Sequence, residues 1–126
     1  GAEYMISPNV NGAVSRETKK RDKVSIPGAM TPTEAAFAYE CGADIVKLFP
    51  AGLLGAAYIK AVKAPLKHIP VTAVGNVNVE NCAEFLKAGA VGVGVGGSLV
   101  SAKLVDEGRF DEITATAKAY VEALAR

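Results

Sequence analysis

Short apolar runs recur along the chain, and each is followed by a segment with helical features. The runs begin near Tyr4, Val24, Asp44, Val71 and Val91, so successive starts are separated by 20, 20, 27 and 20 residues. Strands that alternate with helices at this spacing form parallel sheets with right-handed crossovers. The pattern therefore predicts an α/β fold built from five βα units.

The segments between the runs carry helix start and stop signals. Thr31-Pro32-Thr33-Glu34 supplies an N-cap threonine, a proline in the first turn and a glutamate three residues after the cap. These features predict a helix over 32–41. Further helices are predicted over 11–23, 56–62, 79–88 and 110–125. The helix over 79–88 is expected to be capped by Asn78. The inward positions of the last are predicted to be Ile113, Ala117, Tyr120, Val121 and Leu124.

The apolar run 44–51 contains a single lysine, Lys47, which lies between Val46 and Leu48. Such a run is typical of a strand that is buried on both faces of a parallel sheet. An ammonium group buried without a partner is costly, and a lowered pKa relieves that cost. Lys47 is therefore predicted to be a nucleophilic amine of the kind that forms imines. Alternatively, its stem lies in the core while its head reaches water or pairs with a carboxylate.

Glycine-rich turns follow the last two predicted strands, as Gly75-Asn76 and Gly96-Gly97-Ser98. Backbone N–H groups in such turns can approach an anion closely, and the Ser98 hydroxyl adds another donor. The helix predicted after Asn78 would add its positive end. These turns predict a phosphate site, whereas the alternative is that the glycines only permit tight turns.

The candidate functional residues all fall at the carboxyl ends of predicted strands. Barrel active sites are built at these ends, and the loops after the seventh and eighth strands often bind phosphate. A flavodoxin-type sheet instead has its phosphate loop after the first strand, where this chain reads Ser7-Pro8-Asn9. A (β/α)8 TIM barrel is therefore favoured. A closed barrel runs to roughly 250 residues, so the chain is expected to form a single partial barrel domain over 1–126.

Composition argues against several classes of function. The 126 residues include 14 Lys plus Arg and 13 Asp plus Glu, a net charge of +1, so neither nucleic acid nor an acidic membrane is indicated as a partner. Cys41 and Cys82 lie outside any metal-binding spacing and are predicted to be reduced thiols of a cytoplasmic protein. His68, the single histidine, is expected in an exposed loop. No apolar run reaches membrane-spanning length, so a soluble protein is expected. The first residue is Gly1 rather than methionine, which suggests a processed or partial product.

Four segments resemble the KDPG/KHG aldolases, which are the 2-keto-3-deoxy-6-phosphogluconate and 4-hydroxy-2-oxoglutarate aldolases. These segments are Gly1–Pro8, Ile26–Glu34, Val46–Ala51 and Gly96–Val100. The resemblance implies that the five strands are the fourth to eighth of that family's barrel. It also implies a class I aldolase, without metal or cofactor, that assembles as a homotrimer. In such an enzyme Lys47 forms an imine with the C2 ketone of a small keto sugar acid phosphate, and pyruvate and an aldehyde are released.

The resemblance also implies which residues contact the substrate. Pro8 and Phe49 match positions that line the pyruvate pocket, and Gly75, Gly97 and Ser98 match the phosphate-binding turns. The full set predicted to bind substrate is Pro8, Phe49, Val74, Gly75, Asn76, Gly96, Gly97 and Ser98.

The chain departs from the family's pattern in two ways. The family commonly reads Pro-Thr-Gly-Gly where this chain has Ala73-Val74-Gly75-Asn76. Val74 lacks a hydroxyl that would bond the substrate, and Asn76 adds a side chain to the phosphate turn, so the galactonate epimer is an alternative substrate. In addition, the family's glutamate proton carrier and its carboxylate-binding arginine lie on an early strand that this chain does not match, and no residue here inherits either role.

Two other functions stay open at this point. The chain could be a noncatalytic phosphate-binding half-barrel in which Lys47 is structural. It could also resemble a thiamine-phosphate synthase, although a site of that kind does not need Lys47.

Overall fold

The computed structural model describes residues 1–125, which form short parallel strands and helices that alternate along the chain. The strands are β1 (Tyr4–Ile6), β2 (Val24–Ile26), β3 (Gly28–Ala29), β4 (Val46–Leu48), β5 (Val71–Val74) and β6 (Gly92–Gly94). The helices are α1 (Gly12–Lys20), α2 (Pro32–Glu40), α3 (Ala51–Leu54), α4 (Ala56–Lys63), α5 (Cys82–Lys87), α6 (Ala102–Asp106) and α7 (Phe110–Leu124).

Within each of two sheets, strands that are adjacent in chain order pair in parallel. One sheet contains β1 and β2, and the other has the order β3-β4-β5-β6. Parallel strands in sequential order, joined by helical crossovers, are the arrangement of a (β/α)8 barrel segment. The predicted α/β class and the five βα units are therefore confirmed.

The second predicted strand is divided at Pro27. Proline has no N–H to donate, so the regular ladder is interrupted there. β2 before it pairs with β1, and β3 after it pairs with β4. The Pro27 carbonyl still accepts the Lys47 N–H at 2.9 Å, which keeps the two sheets connected.

Local capping explains where two helices begin. The Thr31 hydroxyl accepts the Glu34 N–H at 3.2 Å while the Glu34 carboxylate accepts the Thr31 N–H at 2.9 Å, so the predicted capping box of α2 is confirmed. The start predicted for α5 at Val79 is wrong. Asn78 and Asn81 each accept the other's backbone N–H through the side-chain carbonyl, and this closed turn delays the helix to Cys82. The one-turn helices α3 and α6 were not predicted, because such short elements show no apolar period.

The core lies between the strands and the outer helices. Along β4, side chains alternate between buried and partly buried positions. The prediction that this strand is buried on both faces is therefore wrong. Val46 and Leu48 are fully buried, whereas Lys47 on the opposite face is only partly buried. On α7, Tyr120 is buried as predicted, but Val121 is 69% exposed. The two are adjacent in sequence, and a helix turns about 100° per residue, so the core stripe of α7 excludes Val121.

An ion pair joins α1 to the segment just before β4. Lys19 Nζ lies 2.8 Å from both carboxylate oxygens of Asp44, and Asp44 also accepts the Ser25 N–H at 2.8 Å. The Lys19 hydrogen bond, followed by that of Ser25, lowers the pKa of Asp44.

We expect this pair to make stability depend on acidity. Because folding lowers the pKa of Asp44, its contribution is complete above the unfolded value of about 3.9 and is lost as the pH falls through the lowered pKa. Both side chains are more than a third exposed, so the gain should stay below about 1 kcal/mol. Urea unfolding of the native chain and of Asp44→Asn, from about pH 6 to about pH 3, should show a stability gap that closes at the acidic end. A gap that widens on acidification would contradict this assignment.

Candidate active site

Lys47 lies on β4 in register with Gly28 of β3 and Thr72 of β5. Its ammonium stands 4.7 Å from the centroid of the Phe49 ring, a cation–π distance. Among residues 1–125, no carboxylate lies within 4.0 Å of this ammonium. The alternative in which Lys47 pairs with a carboxylate is therefore not observed in the described part of the chain.

Phe49 connects the lysine to the first glycine turn. Gly75 has a φ of +91°, and a Cβ there would lie 2.9 Å from two atoms of the Phe49 ring. Only glycine permits both this backbone conformation and this close approach. The turn is held from the other side by Gly52, whose N–H donates to the Gly75 carbonyl at 2.7 Å. Lys47, Phe49 and Gly75 thus form one continuous line of contacts.

Pro8 lies on the other side of the lysine strand. Its carbonyl packs against Gly28, where a Cβ would come within 2.3 Å of the Pro8 oxygen. The Gly28 N–H also donates to the Asn9 carbonyl at 3.2 Å. Since Gly28 is the register partner of Lys47, Pro8 is one strand removed from the amine.

The two glycine turns form the walls of one cleft of about 410 Å³. Its lining residues are Val74, Gly75, Asn76, Val77, Gly94, Gly96, Gly97 and Ser98. The structure therefore brings together six of the eight residues predicted to bind substrate. A Cβ at Gly96 or Gly97 would meet no atom within 4 Å, so the space beside both glycines is open.

Backbone donors in this cleft are free to bind a ligand. Within residues 1–125, the N–H groups of Gly97 and Ser98 donate to no protein acceptor. Asn76 has a φ of +53°, a left-handed conformation that asparagine tolerates, and it directly follows the left-handed Gly75. The predicted contribution of a helix end is wrong, because α5 starts six residues after Asn76 and spans only six residues. Any anion in this cleft would be bound by the turns.

The Ser98 hydroxyl was predicted to add a donor to the cleft, but in the structure it is bonded to other protein groups. Its Oγ lies 2.7 Å from the Val77 carbonyl, to which it donates, and 2.8 Å from the Tyr120 hydroxyl. Sequence reasoning placed Tyr120 only in the core and missed Val77. A signal was present, since a buried tyrosine hydroxyl normally requires a polar partner.

A larger groove, of about 610 Å³, lies beside α1 and the chain start, and its lining includes none of the predicted site residues. Cys41 and Cys82 are buried free thiols and His68 is exposed, as predicted. In the described 125 residues, no helix is long and apolar enough to cross a bilayer, and no three His, Cys, Asp or Glu side chains cluster as metal ligands would.

Comparison with known proteins gives consistent matches. A family model described as "KDPG and KHG aldolase" matches residues 1–116. The 2-dehydro-3-deoxy-6-phosphogalactonate aldolase of Escherichia coli K12 is 39% identical over 125 residues, which cover 98% of this chain and 61% of that protein. The 2-dehydro-3-deoxy-phosphogluconate aldolase of Treponema pallidum is 33% identical over 117 residues, covering 91% of this chain and 55% of that protein.

A solved structure described as native KDPGal gives a TM-score of 0.88 at 38% identity. The match covers 100% of this chain and 62% of the other. The chain therefore spans roughly three fifths of the length of these relatives, and the barrel prediction is confirmed for that portion.

Substitution of the cleft glycines should separate binding from folding. Gly97→Ala adds a Cβ where no protein atom lies within 4 Å, so stability should change by less than about 0.5 kcal/mol. If the cleft binds phosphate, the same Cβ would occupy ligand space, and affinity for glycerol 3-phosphate should fall about tenfold, a loss of about 1.4 kcal/mol. Calorimetric titration and urea unfolding measure the two effects.

Gly75→Ala serves as the contrasting variant. Its φ of +91° and the contact with Phe49 should make it lose about 1–3 kcal/mol of stability. If a folded Gly97→Ala chain kept the native affinity for glycerol 3-phosphate, the cleft would not be the anion site.

Proposed function

The chain belongs to the KDPG and KHG aldolase family, and from this membership we propose that it is the imine-forming part of a class I aldolase. The proposed substrate is 2-keto-3-deoxy-6-phosphogluconate, 4-hydroxy-2-oxoglutarate or both, cleaved to pyruvate and an aldehyde. The observation that carries the proposal is the position of Lys47. Its amine has no carboxylate partner in residues 1–125 and is connected through Phe49 to the glycine-lined cleft.

The first step uses Lys47 as the nucleophile. Its neutral amine attacks the C2 ketone to give a carbinolamine, and loss of water leaves a protonated imine. The imine then accepts the electron pair of the C3–C4 bond as that bond breaks. The aldehyde leaves, and the enamine is protonated at C3 and hydrolysed to pyruvate and free Lys47.

Positioning of the substrate is assigned to the groups around the amine. Phe49, whose ring lies under the ammonium, and Pro8, one strand away, would form the apolar wall beside the pyruvate portion. The phosphate would lie in the cleft between the turns at Gly75 and Gly97, where the N–H groups of Gly97 and Ser98, unpaired among residues 1–125, would provide donors.

Proton transfer requires a group that we do not assign to this chain. Cleavage of the C3–C4 bond needs a base for the C4 hydroxyl proton, and the enamine needs an acid. By resemblance, the family's glutamate occupies an earlier strand, and this chain spans 61% of the Escherichia coli relative. The proposal for the whole reaction therefore concerns the complete barrel, while imine formation concerns Lys47 itself.

A second candidate substrate is the 6-phosphogalactonate epimer. It is favoured by the higher identity to the galactonate aldolase, 39% against 33% for the gluconate aldolase. Val74 in place of the family's threonine also supports it. The two epimers differ in configuration at C4, and the lost hydroxyl would remove one contact that distinguishes them.

Three further expectations accompany the aldolase proposal. Family membership supports a homotrimer, and exposed apolar side chains such as Leu53 and Phe110 are available for contacts between copies. We also retain the predictions of a cytoplasmic protein and of one partial barrel domain over residues 1–126.

Imine formation should be detectable by chemical trapping. With pyruvate and borohydride, the chain should gain one carboxyethyl group, which peptide mass spectrometry should locate at Lys47, because reduction makes the imine permanent. Lys47→Met should abolish this adduct, whereas Lys60→Met, which removes an exposed lysine of α4, should retain it. If the chain is a noncatalytic half-barrel, no adduct should form at Lys47, and Lys47→Met should leave the stability of the fold unchanged or increase it. Either an untrapped chain or an adduct confined to other lysines would reject the proposal.

The choice between epimers can be tested with the same reaction. If the galactonate epimer is the substrate, Lys47 should be trapped faster by 2-keto-3-deoxy-6-phosphogalactonate than by the gluconate epimer at equal concentration. Val74→Thr, which restores the hydroxyl common in the family, should narrow this difference. Faster trapping by the gluconate epimer would instead favour the first proposed substrate.

A further inference from the structure

We infer that the hydroxyl of Tyr120 is a positioning group for phosphate recognition, an inference that rests on the proposed function. When Ser98 turns its hydroxyl proton toward a phosphate oxygen, Tyr120 takes over the hydrogen bond to the Val77 carbonyl. Tyr120 lies on α7, outside both glycine turns, and it acts through Ser98 rather than by touching the substrate.

Three oxygen atoms form a closed triangle behind the cleft. Ser98 Oγ lies 2.7 Å from the Val77 carbonyl oxygen, Tyr120 Oη lies 2.8 Å from Ser98 Oγ, and Tyr120 Oη lies 3.3 Å from the same carbonyl oxygen. The Val77 carbonyl is thus within reach of two hydroxyl donors. Each hydroxyl has a single proton, so the two donors can be arranged in more than one way.

In the arrangement with the shortest contacts, Ser98 donates to Val77 and Tyr120 donates to Ser98. Ser98 then has no proton left for a ligand in the cleft. A phosphate oxygen is an acceptor only, so Ser98 can bind it only by withdrawing its proton from Val77. Val77 is 2% exposed, and a buried carbonyl without a donor costs about 1–3 kcal/mol.

Tyr120 removes this cost because its hydroxyl already lies beside the carbonyl. Rotation of the phenol proton from Ser98 to Val77 satisfies the carbonyl and frees Ser98 to donate to the anion. The side chain of Tyr120 is 5% exposed and packs in the core, so its hydroxyl cannot turn away to water. The phenol therefore stays in position for the exchange.

This exchange has a consequence that a purely structural tyrosine lacks. If Tyr120 only filled the core, its hydroxyl would affect stability without any coupling to the Ser98 hydroxyl during ligand binding. In the exchange, the Tyr120 hydroxyl matters for binding only when Ser98 has a proton to release. The effects of substituting Tyr120 and Ser98 on phosphate affinity should therefore be strongly non-additive.

A double-mutant cycle on the full chain tests the inference, with glycerol 3-phosphate as the probe and calorimetric titration as the measurement. Tyr120→Phe keeps the ring and should weaken binding about tenfold, a loss of about 1.4 kcal/mol. Ser98→Ala should weaken binding by a similar factor. Adding Tyr120→Phe to Ser98→Ala should change affinity less than about twofold, because the Val77 carbonyl then has the same partners with and without ligand.

A matched control is Tyr58→Phe, which also removes a phenol that donates to a backbone carbonyl, that of Met30. It should leave glycerol 3-phosphate affinity unchanged. Urea unfolding of each variant shows whether the fold is intact, and a folded but less stable Tyr120→Phe chain remains informative because the cycle compares binding within each background.

The outcomes are separable from those of the aldolase proposal. Equal weakening by Tyr120→Phe in both backgrounds, or none in the native background, overturns the inference while trapping at Lys47 can still succeed. A native chain that binds no glycerol 3-phosphate overturns it as well. Coupling between Tyr120 and Ser98 in a chain whose Lys47 is never trapped would support the exchange of donors at the Val77 carbonyl and reject the aldolase proposal.

Discussion

The burial of Val46 and Leu48 decides the direction in which Lys47 points. Side chains alternate along a strand, so two fully buried residues on one face of β4 place the lysine between them on the other. Burial of each apolar side chain contributes about 1.5–3 kcal/mol. A slip of one residue would bring the ammonium into the helix-covered core and expose both apolar groups, which is why this register is strongly specified.

Close backbone contacts then determine what surrounds the amine. The Pro8 carbonyl lies against Gly28, and the Phe49 ring lies against Gly75, at distances that no Cβ would allow. These contacts depend on the absence of side chains at two positions far apart in sequence. They bring a loop before α1 and a turn after β5 to opposite sides of one lysine. The aldolase proposal requires both, since an imine alone does not select a substrate.

The outer layer of helices also reaches the candidate phosphate cleft. α7 packs beside α5, and its buried Tyr120 places a hydroxyl between Ser98 and the Val77 carbonyl. The anion binding proposed here would rely on backbone N–H groups of turns and on a hydroxyl pair, rather than on a helix end. Such a site is sensitive to small changes in turn geometry, because hydrogen bonds weaken steeply with distance and angle.

Signals within a few residues of each other determined much of this protein. The capping box at Thr31 and Glu34 marked the start of α2, the spacing of apolar runs identified five βα units, and motifs around Lys47 and Ser98 indicated the family. The capping box acts within one element and the run spacing repeats along the chain, whereas the family was indicated by the resemblance of those motifs to known aldolases.

The tertiary structure decided the features that depend on distant partners. These include the pairing of β2 and β3 with different neighbouring strands, the partial burial of Lys47 and the hydrogen bonds of Tyr120. A sequence pattern shows that Tyr120 faces inward, but its hydroxyl meets Val77 only because α7 folds back over a turn 43 residues earlier in the chain. Local sequence fixes the faces of helices and strands, whereas the contacts between those faces depend on how the whole chain packs.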